Sequence, residues 1–414
     1  MKDYNYFNTL LVQNVGNKTR AISPVIASSA AFGYESAEEA EGIFMGTVNN
    51  PLYARVGNPT TAKLETIVAK MEGGLGAIAT SSGMGALSMV MTAYLKYDDE
   101  VLCIGGFFGG TYTLVNETMK RFGIKNSFCA TEDFNHIEER LKSGIHMVMV
   151  ESVGNPSLEL PNLPKIIELC NQYETLLVVD NTVTPLTIRP LEMGADISVH
   201  STTKAMSGHS SALGGVAIFR AIKENDKLLN EKYKNMHPII EKMGKKAMIA
   251  IAKKRAMRDI GMSSNAFGSF LTMLGLETLA LRLERVNNSI PVIAKILDEK
   301  LPSDIKVSHP SLTSHAYHER YINEFNRTSG PLITLECGNK ERAFKILNRL
   351  KLVTQTANIG DNRTLALHVS STIYRDFNKE TQKHLGITDG LIRVSIGLED
   401  PEVIAEDFLQ ASDI

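Results

Sequence analysis

Short apolar runs that alternate with helical segments constrain the fold of this 414-residue chain more than any other feature. Strands that alternate with amphipathic helices predict a mainly parallel sheet with helices on both faces. We therefore predict an α/β fold in which ligands bind beyond the carboxyl ends of the strands. The predicted strands lie at residues 77–80, 101–104, 147–150, 176–179, 197–199 and 215–219. The predicted helices between them include residues 61–72, 85–95 and 163–173.

The texture of the sequence divides the chain into three parts. Residues 1–58 are polar, irregular and rich in Asn, Gly and Pro, which is typical of an arm. We predict a large domain at 59–256 and a smaller α+β domain at 257–414. In the C-terminal part, the apolar spacing over 270–285 predicts one long helix. The same part contains predicted strands at 330–336 and 390–397, with a helix at 340–350.

Composition and charge exclude several classes of function. The formal net charge of -2 argues against a nucleic-acid partner, because neutralising phosphates requires a basic excess. The four cysteines lie far apart without zinc-ligand spacing, so we expect free thiols in the cytoplasm and no metal. The N-terminus lacks signal-peptide blocks, and no stretch approaches the roughly 20 apolar residues of a membrane span. We therefore expect no membrane association.

Two polar residues at predicted strand ends indicate a specific chemistry. Asp180 directly follows the apolar run at 176–179. Lys204 lies shortly after the run at 197–199, and Ser201 and Thr203 come just before this lysine. Such a Lys can bond to the aldehyde of pyridoxal 5′-phosphate, while the Asp keeps the ring nitrogen protonated. The two hydroxyls are candidate phosphate ligands. Each residue alone is more often a solvated lysine or a turn cap, so the hypothesis depends on the rest of the chain.

A small-residue turn supplies a candidate phosphate site. The segment from Thr80 to Gly85 joins a predicted strand to a predicted helix, and the helix N-terminus offers unpaired N–H groups. We assign the N–H groups of Gly83 and Met84 to the cofactor phosphate. Many turns of this kind only pack tightly, and this one lacks the spacing of a dinucleotide fingerprint or a P-loop.

Three further segments carry candidate ligands. Tyr53 and Arg55 project to the same side if their segment is extended, and a hydroxyl with a guanidinium suits a phosphate. Asn155, in an Asn-Pro turn after a buried strand, can donate to the oxygen on the cofactor ring. Arg393 is a candidate for a bidentate bond to the substrate carboxylate. An ordinary loop, turn or surface ion pair explains each of them equally well in isolation.

Together these motifs resemble one family. The sequence is similar to the Cys/Met-metabolism family of pyridoxal-phosphate enzymes, over the chain from about residue 20 onward. The resemblance implies the aspartate-aminotransferase-like (type I) fold and a homotetramer built from two active dimers. It also implies that Tyr53 and Arg55 reach the phosphate of the neighbouring subunit. The segments that carry it are Tyr53-Ala-Arg55, Ser81-Ser-Gly-Met84, Val179-Asp-Asn-Thr182, His200-Ser-Thr-Thr-Lys204, Gly275-Leu-Glu-Thr-Leu279 and Ile392-Arg-Val-Ser-Ile-Gly397.

Within the family, the segment Ala357-Asn-Ile-Gly-Asp361 is most similar to the O-acetylhomoserine sulfhydrylases. It lacks the Glu that cystathionine enzymes carry there, so we expect Asn358 and Arg393 to contact an O-acylhomoserine. Phe108 stands where the family usually has a Tyr, which retains stacking on the cofactor ring but removes a hydroxyl acid. The family's His-Pro-Ala-Ser segment is also altered here, between His368 and Tyr374.

The resemblance therefore implies replacement of an acyl group by sulfide or a small thiol, in methionine biosynthesis. A protein sulfur carrier is a further candidate donor. The alternatives are a methionine or cystathionine γ-lyase and an O-succinylhomoserine sulfhydrylase of the same family. A non-catalytic scaffold is the alternative from another class of protein.

Overall fold

The computed structural model of the protein describes residues 8–13 and 21–413. Two β-sheets organise these residues, one of seven strands and one of five. In chain order the strands are β1 (Gly76–Thr80), β2 (Glu100–Ile104), β3 (Lys125–Cys129), β4 (Met147–Glu151), β5 (Leu176–Asp180), β6 (Ile197–His200), β7 (Gly215–Phe219), β8 (Lys306–Ser308), β9 (Leu332–Glu336), β10 (Thr354–Gln355), β11 (Leu365–His368) and β12 (Leu391–Ser395).

The larger sheet has the strand order β1-β7-β6-β5-β4-β2-β3. The pairs from β6 to β3 are parallel, and β7 runs antiparallel to both of its neighbours. This confirms the prediction of a mainly parallel sheet. The sheet is buried on both faces, since Val101 and Cys103 of β2 belong to one apolar cluster and Leu102 and Ile104 to another.

The α-helices cover both sheets. They span Ala37–Met45, Pro59–Met71, Gly83–Tyr94, Gly109–Thr113, Phe134–Lys142, Leu163–Gln172, Pro190–Met193, His237–Met243, Ala247–Ala252, Arg258–Ile260, Ala266–Glu277, Leu279–Lys300, His318–Asn323, Lys340–Arg349, Lys379–His384 and Pro401–Ser412. Single turns of π-helix lie at Leu114–Thr118 and Lys253–Met257. Short 3₁₀ turns lie at Met119–Phe122, Lys227–Leu229, Glu231–Met236 and Gly244–Lys246. Residues 8–12 are also helical.

The five-stranded sheet has the order β10-β11-β12-β9-β8. Its apolar residues pack with the helices Leu279–Lys300, Lys340–Arg349 and Pro401–Ser412 in one buried cluster. The predicted strands at 330–336 and 390–397 and the helix at 340–350 correspond to β9, β12 and Lys340–Arg349.

The prediction of one long helix over 270–285 is wrong. Two helices occupy the region, Ala266–Glu277 and Leu279–Lys300, bent by 56° at Thr278. The first helix packs so closely that a Cβ on Gly275 would lie 2.3 Å from the Ser207 carbonyl oxygen. From the second helix, Arg282 donates to the Gly275 carbonyl at 2.7 Å, which joins the two helices across the break. Within the described residues, no single helix is long and apolar enough to cross a membrane, although these two satisfy the length and composition criteria together.

The N-terminal arm is less irregular than the sequence indicates. Ser36 caps the helix Ala37–Met45 by accepting from the Glu39 amide, as expected of an N-cap serine. Leu11 is buried in a cluster with Leu64 and Leu276, so this part of the arm packs on its own chain. The proposed division at residues 58 and 256 stays a prediction.

Candidate active site

The carboxyl ends of β4, β5 and β6 meet at a cavity of about 220 Å³. Parallel strands bring their carboxyl ends to one edge of a sheet, where the chain leaves the ladder of hydrogen bonds and side chains are free to face a ligand. Most of the predicted ligands line this cavity: Gly83, Met84, Phe108, Asn155, Asp180, Ser201, Thr203, Lys204 and Arg393. Residues from the C-terminal part, including Ala357 and Ile359, form the opposite wall.

Lys204 is held at the centre of this constellation. Its Nζ donates to Asn358 Oδ1 at 2.7 Å, across 154 residues of sequence. Burial, followed by the positive charge of Arg393, lowers the pKa of the Lys204 amine from 10.5 to about 8. About a tenth of the amine is therefore unprotonated at pH 7, far more than at its ordinary pKa, and this is the form that a nucleophile or general base requires.

Asp180 ends β5 and is accompanied by a second carboxylate. Its Oδ1 accepts a hydrogen bond from the Thr182 amide at 3.0 Å. Burial raises the pKa of Asp180, and bonds from Thr182 oppose that effect. Glu151 lies directly beside Asp180 in the register of β4 and β5. A cationic ring nitrogen bound beside these two carboxylates would favour the ionised form of Asp180.

Glu151 is a site residue that the sequence analysis missed. Its two carboxylate oxygens accept hydrogen bonds from the backbone N–H groups of Phe108 at 2.8 Å and Asn155 at 3.3 Å. Glu151 therefore links two loops of the cavity. Burial, followed by the nearby charge of Asp180, raises the pKa of Glu151 well above its ordinary value. Its position in the sequence could have identified it, because Glu151 directly follows the apolar run at 147–150 just as Asp180 follows the run at 176–179.

Arg393 is a buried cation that lacks a carboxylate. It is 2% exposed and donates to Asn155 Oδ1 at 3.1 Å and to the Ala357 carbonyl at 3.3 Å. No carboxylate within the described residues pairs with it, and burial lowers its pKa to about 10. Because Asn155 Oδ1 accepts from Arg393, the amide of Asn155 presents its NH₂ group as a remaining donor.

The turn before the helix Gly83–Tyr94 forms a cradle of small residues. The N–H groups of Gly83 and Met84 have no acceptor within the described residues, and Ser82 caps the helix by accepting from Gly85 at 3.0 Å. A Cβ on Gly83 would lie 2.7 Å from Ser201 Cβ, so the backbone approaches β6 closely. Two orphan donors, a helix N-terminus and the Ser201 hydroxyl fit a phosphate.

Thr203 differs from its expected role. It lines the cavity, but its hydroxyl donates to the Gly214 carbonyl at 3.1 Å and accepts from the Gly214 amide at 3.0 Å. Backbone pairing therefore occupies this hydroxyl, because the strand β7 begins directly beside it.

Tyr53 and Arg55 do not line this cavity. The amides of Val56 and Gly57 donate to the Tyr53 carbonyl, which makes a turn, so the expectation of an extended segment is wrong. The turn nevertheless brings the Arg55 guanidinium to 5.6 Å from the Tyr53 ring centroid. Arg55 donates to the Arg258 carbonyl, and Tyr53 is 46% exposed.

The lysine with a lowered pKa, the strand-end carboxylate and the phosphate cradle fit pyridoxal 5′-phosphate. Fold and site together define a pyridoxal-phosphate-dependent enzyme of the type I fold. The chain belongs to the Cys/Met metabolism PLP-dependent enzyme family, whose model matches residues 8–413.

Known members of this family are similar over nearly the whole chain. Homocysteine synthase of Schizosaccharomyces pombe is 36% identical over 374 residues, which cover 88% of this chain and 87% of that protein. O-acetyl-L-homoserine sulfhydrylase 1 of Thermus thermophilus is 32% identical, covering 93% of this chain and 94% of that protein. The crystal structure of a protein described as an O-acetylhomoserine (thiol)-lyase of Campylobacter jejuni contains a pyridoxyl-lysine phosphate. It superposes with a TM-score of 0.91 at 30% identity, covering 99% of this chain and 100% of that one.

Proposed function

We propose that the protein is an O-acetylhomoserine sulfhydrylase, which replaces the acetyl ester at Cγ by sulfide or a small thiol to give homocysteine or methionine. The observation that carries this proposal is that the part of the cavity wall formed by Leu213, Ala357 and Ile359, next to Asn358, is uncharged. Among the described residues that line the cavity, the carboxylates are Glu151 and Asp180, both at the strand ends. A thiol substrate with a distal ammonium group, such as cysteine, would find no anionic partner at that wall.

Lys204 is the proposed proton carrier, and Asp180 is the proposed partner of the ring nitrogen. Pyridoxal 5′-phosphate, when bound, supplies a protonated ring that takes up electrons released at the substrate Cα. Lys204 Nζ removes the proton from Cα and exchanges a proton at Cβ, for which its pKa of about 8 is suited. The hydrogen bond to Asn358 holds the amine in the cavity between these steps.

The proposed cofactor ligands are divided between the two ends of the ring. The amides of Gly83 and Met84 and the Ser201 hydroxyl hold the phosphate, with Thr203 contributing to the wall of that cradle. Phe108 stacks on the ring, and the NH₂ group of Asn155 donates to the ring oxygen. The free donors at Gly83, Met84 and Asn155 support these roles.

Arg393 is the proposed ligand of the substrate carboxylate. Its charge is buried and has no carboxylate partner among the described residues, which supports this role, since a guanidinium binds a carboxylate with two parallel hydrogen bonds. Among the described residues lining the cavity, the cations are Lys204 and Arg393, and each already has a proposed role. A succinyl ester would bring a second carboxylate without a cation to receive it. We therefore favour the acetyl ester.

The nature of the leaving group is consistent with Phe108. Acetate leaves as a stable anion, whereas a thioether sulfur benefits from a proton donor as it departs. Phe108 supplies an aromatic face without a hydroxyl. The cavity therefore suits an ester substrate better than methionine or cystathionine, which a γ-lyase would cleave.

We infer that active sites are shared between subunits of a homotetramer in the cytoplasm. Tyr53 is exposed and does not line the cavity of its own chain, which supports a role at a neighbouring chain, with Arg55 beside it. The four cysteines are free and buried, which is compatible with a reducing compartment.

Product analysis tests the proposed function. Purified protein loaded with pyridoxal phosphate is given O-acetylhomoserine with and without sulfide. We expect homocysteine to form with sulfide and little 2-oxo acid to form without it. O-Succinylhomoserine serves as the matched substrate control. Equal amounts of 2-oxo acid with and without sulfide would instead identify a γ-lyase.

A further inference from the structure

A chain of polar side chains leads from Lys204 to the protein surface. Lys204 Nζ donates to Asn358 Oδ1 at 2.7 Å, and Asn358 Nδ2 donates to Ser210 Oγ at 3.0 Å. Ser210 Oγ then donates to Asp361 Oδ2 at 2.5 Å. The Asp361 carboxylate is 4% exposed and also accepts from Arg363 Nε at 2.7 Å. Ser210 and Asp361 do not line the cavity, and within the described residues their side chains make no hydrogen bond to a residue that does.

The charge on Asp361 determines which group donates and which accepts in each of these hydrogen bonds. Burial opposes ionisation of Asp361, but bonds from Arg363 and Ser210 outweigh it and keep the pKa of that carboxyl below its ordinary value. An ionised carboxylate only accepts hydrogen bonds, so the single proton of the Ser210 hydroxyl is committed to Asp361. Ser210 Oγ can then only accept from Asn358, which must present its NH₂ group to Ser210. The carbonyl oxygen of the same amide is thereby directed at Lys204.

We propose that Ser210 and Asp361 are positioning residues that orient the Asn358 amide as an acceptor for Lys204. Without this anchor the amide is free to rotate by half a turn, which would direct its NH₂ group at the lysine amine. An ammonium group and an amide NH₂ both donate, so that orientation would favour the unprotonated amine. Ser210 and Asp361 therefore help to hold the Lys204 amine in position. They also keep its pKa higher than it would be with the amide rotated.

The other charged groups near Lys204 have opposite effects on the pKa of its amine. Arg393 faces the amine from β12 and disfavours its charge, while Asp180 and Glu151 line the same cavity from β5 and β4. Burial and Arg393 prevail, which gives the pKa of about 8. The Asn358 oxygen opposes this shift. Loss of its orientation should lower the pKa of Lys204 further, by about 0.5–1, since the net contribution of a typical intramolecular hydrogen bond is of that order.

The test measures the pKa of Lys204 in the cofactor-free full-length chain. Protein is labelled with a limiting amount of acetic anhydride across a range of pH, and mass spectrometry quantifies the modified Lys204 relative to the exposed Lys254. The variants are Ser210→Ala and Asp361→Asn, each made also in an Asn358→Ala background. Ser211→Ala, at the exposed neighbouring serine, is the matched control.

We expect Ser210→Ala and Asp361→Asn to lower the pKa of Lys204 by about 0.5–1, and Ser211→Ala to leave it unchanged. In the Asn358→Ala background neither substitution should have a further effect, because the amide through which they act is gone. An unchanged pKa, or the same shift with and without Asn358, would overturn the proposal. The inference concerns the site of the proposed function, but labelling requires neither cofactor nor turnover. Its failure is therefore distinguishable from failure of the sulfhydrylase assignment.

Discussion

Replacing Arg393 by Met should remove most of the productive binding of the substrate carboxylate. Burial lowers the pKa of this guanidinium from 12.5 to about 10. At about 1.4 kcal/mol for each pKa unit, that fall corresponds to about 3 kcal/mol of lost hydration. A substrate carboxylate that pairs with Arg393 recovers an amount of this order. We therefore expect Arg393→Met to reduce kcat/KM for O-acetylhomoserine by roughly 10²–10³-fold.

The assay compares steady-state rates of homocysteine formation with sulfide held in excess. Most of the loss should appear in KM, since the carboxylate is bound equally in the ground state and the transition state. Arg393→Lys should recover only part of the loss, because a single ammonium lacks the fork of donors. Arg349→Met, at an exposed arginine, controls for the change of charge. If Arg393→Met retains kcat/KM within about tenfold of the parent enzyme, the carboxylate binds elsewhere.

Three further predictions concern the amine, the shared site and the missing hydroxyl. Loading of the cofactor-free chain with pyridoxal phosphate should accelerate as pH rises through about 8 and level off only above it, because the unprotonated Lys204 is the nucleophile. A stopped-flow rate that does not change between pH 6 and about 8 would contradict this. Mixing Arg55→Ala with Lys204→Ala chains should restore activity, since a mixed dimer places both lesions in one site and leaves the other intact; no recovery after verified subunit exchange would show that each chain is self-sufficient. Phe108→Tyr should raise elimination from thioether substrates by up to about 10²-fold while O-acetylhomoserine gains little, and unchanged thioether turnover would show that the hydroxyl does not set the substrate range.

Much of the fold was predictable because the buried strands of a parallel sheet are continuous apolar runs. The strand β3 (Lys125–Cys129) was missed because it lacks such a run. It lies at the sheet edge, begins with Lys-Asn-Ser and is only half-buried, so it has no apolar run to recognise. The break at Thr278 was also missed, because helical periodicity continues across it. The close contact between Gly275 and Ser207 beside the break depends on tertiary packing, which the local pattern does not show.

The candidate site was predictable where its ligands lie at or just beyond the carboxyl end of a strand. Asp180 ends β5 and Lys204 lies four residues after the end of β6, and these positions bring both to one cavity. The contact between Lys204 and Asn358 depends on how the C-terminal part packs against the larger sheet, which local sequence does not specify. Likewise, the turn at Arg55 rests on backbone bonds to Tyr53 that the sequence pattern did not indicate.

The most direct test of the account is to identify the lysine that binds the cofactor. Protein loaded with pyridoxal phosphate is reduced with borohydride, digested, and mapped by mass spectrometry for a pyridoxyl-phosphate group. We expect the group on Lys204, and we expect Lys204→Ala protein to carry no pyridoxyl group and not to turn over O-acetylhomoserine. A pyridoxyl group on another lysine, or substantial turnover by Lys204→Ala, would contradict it.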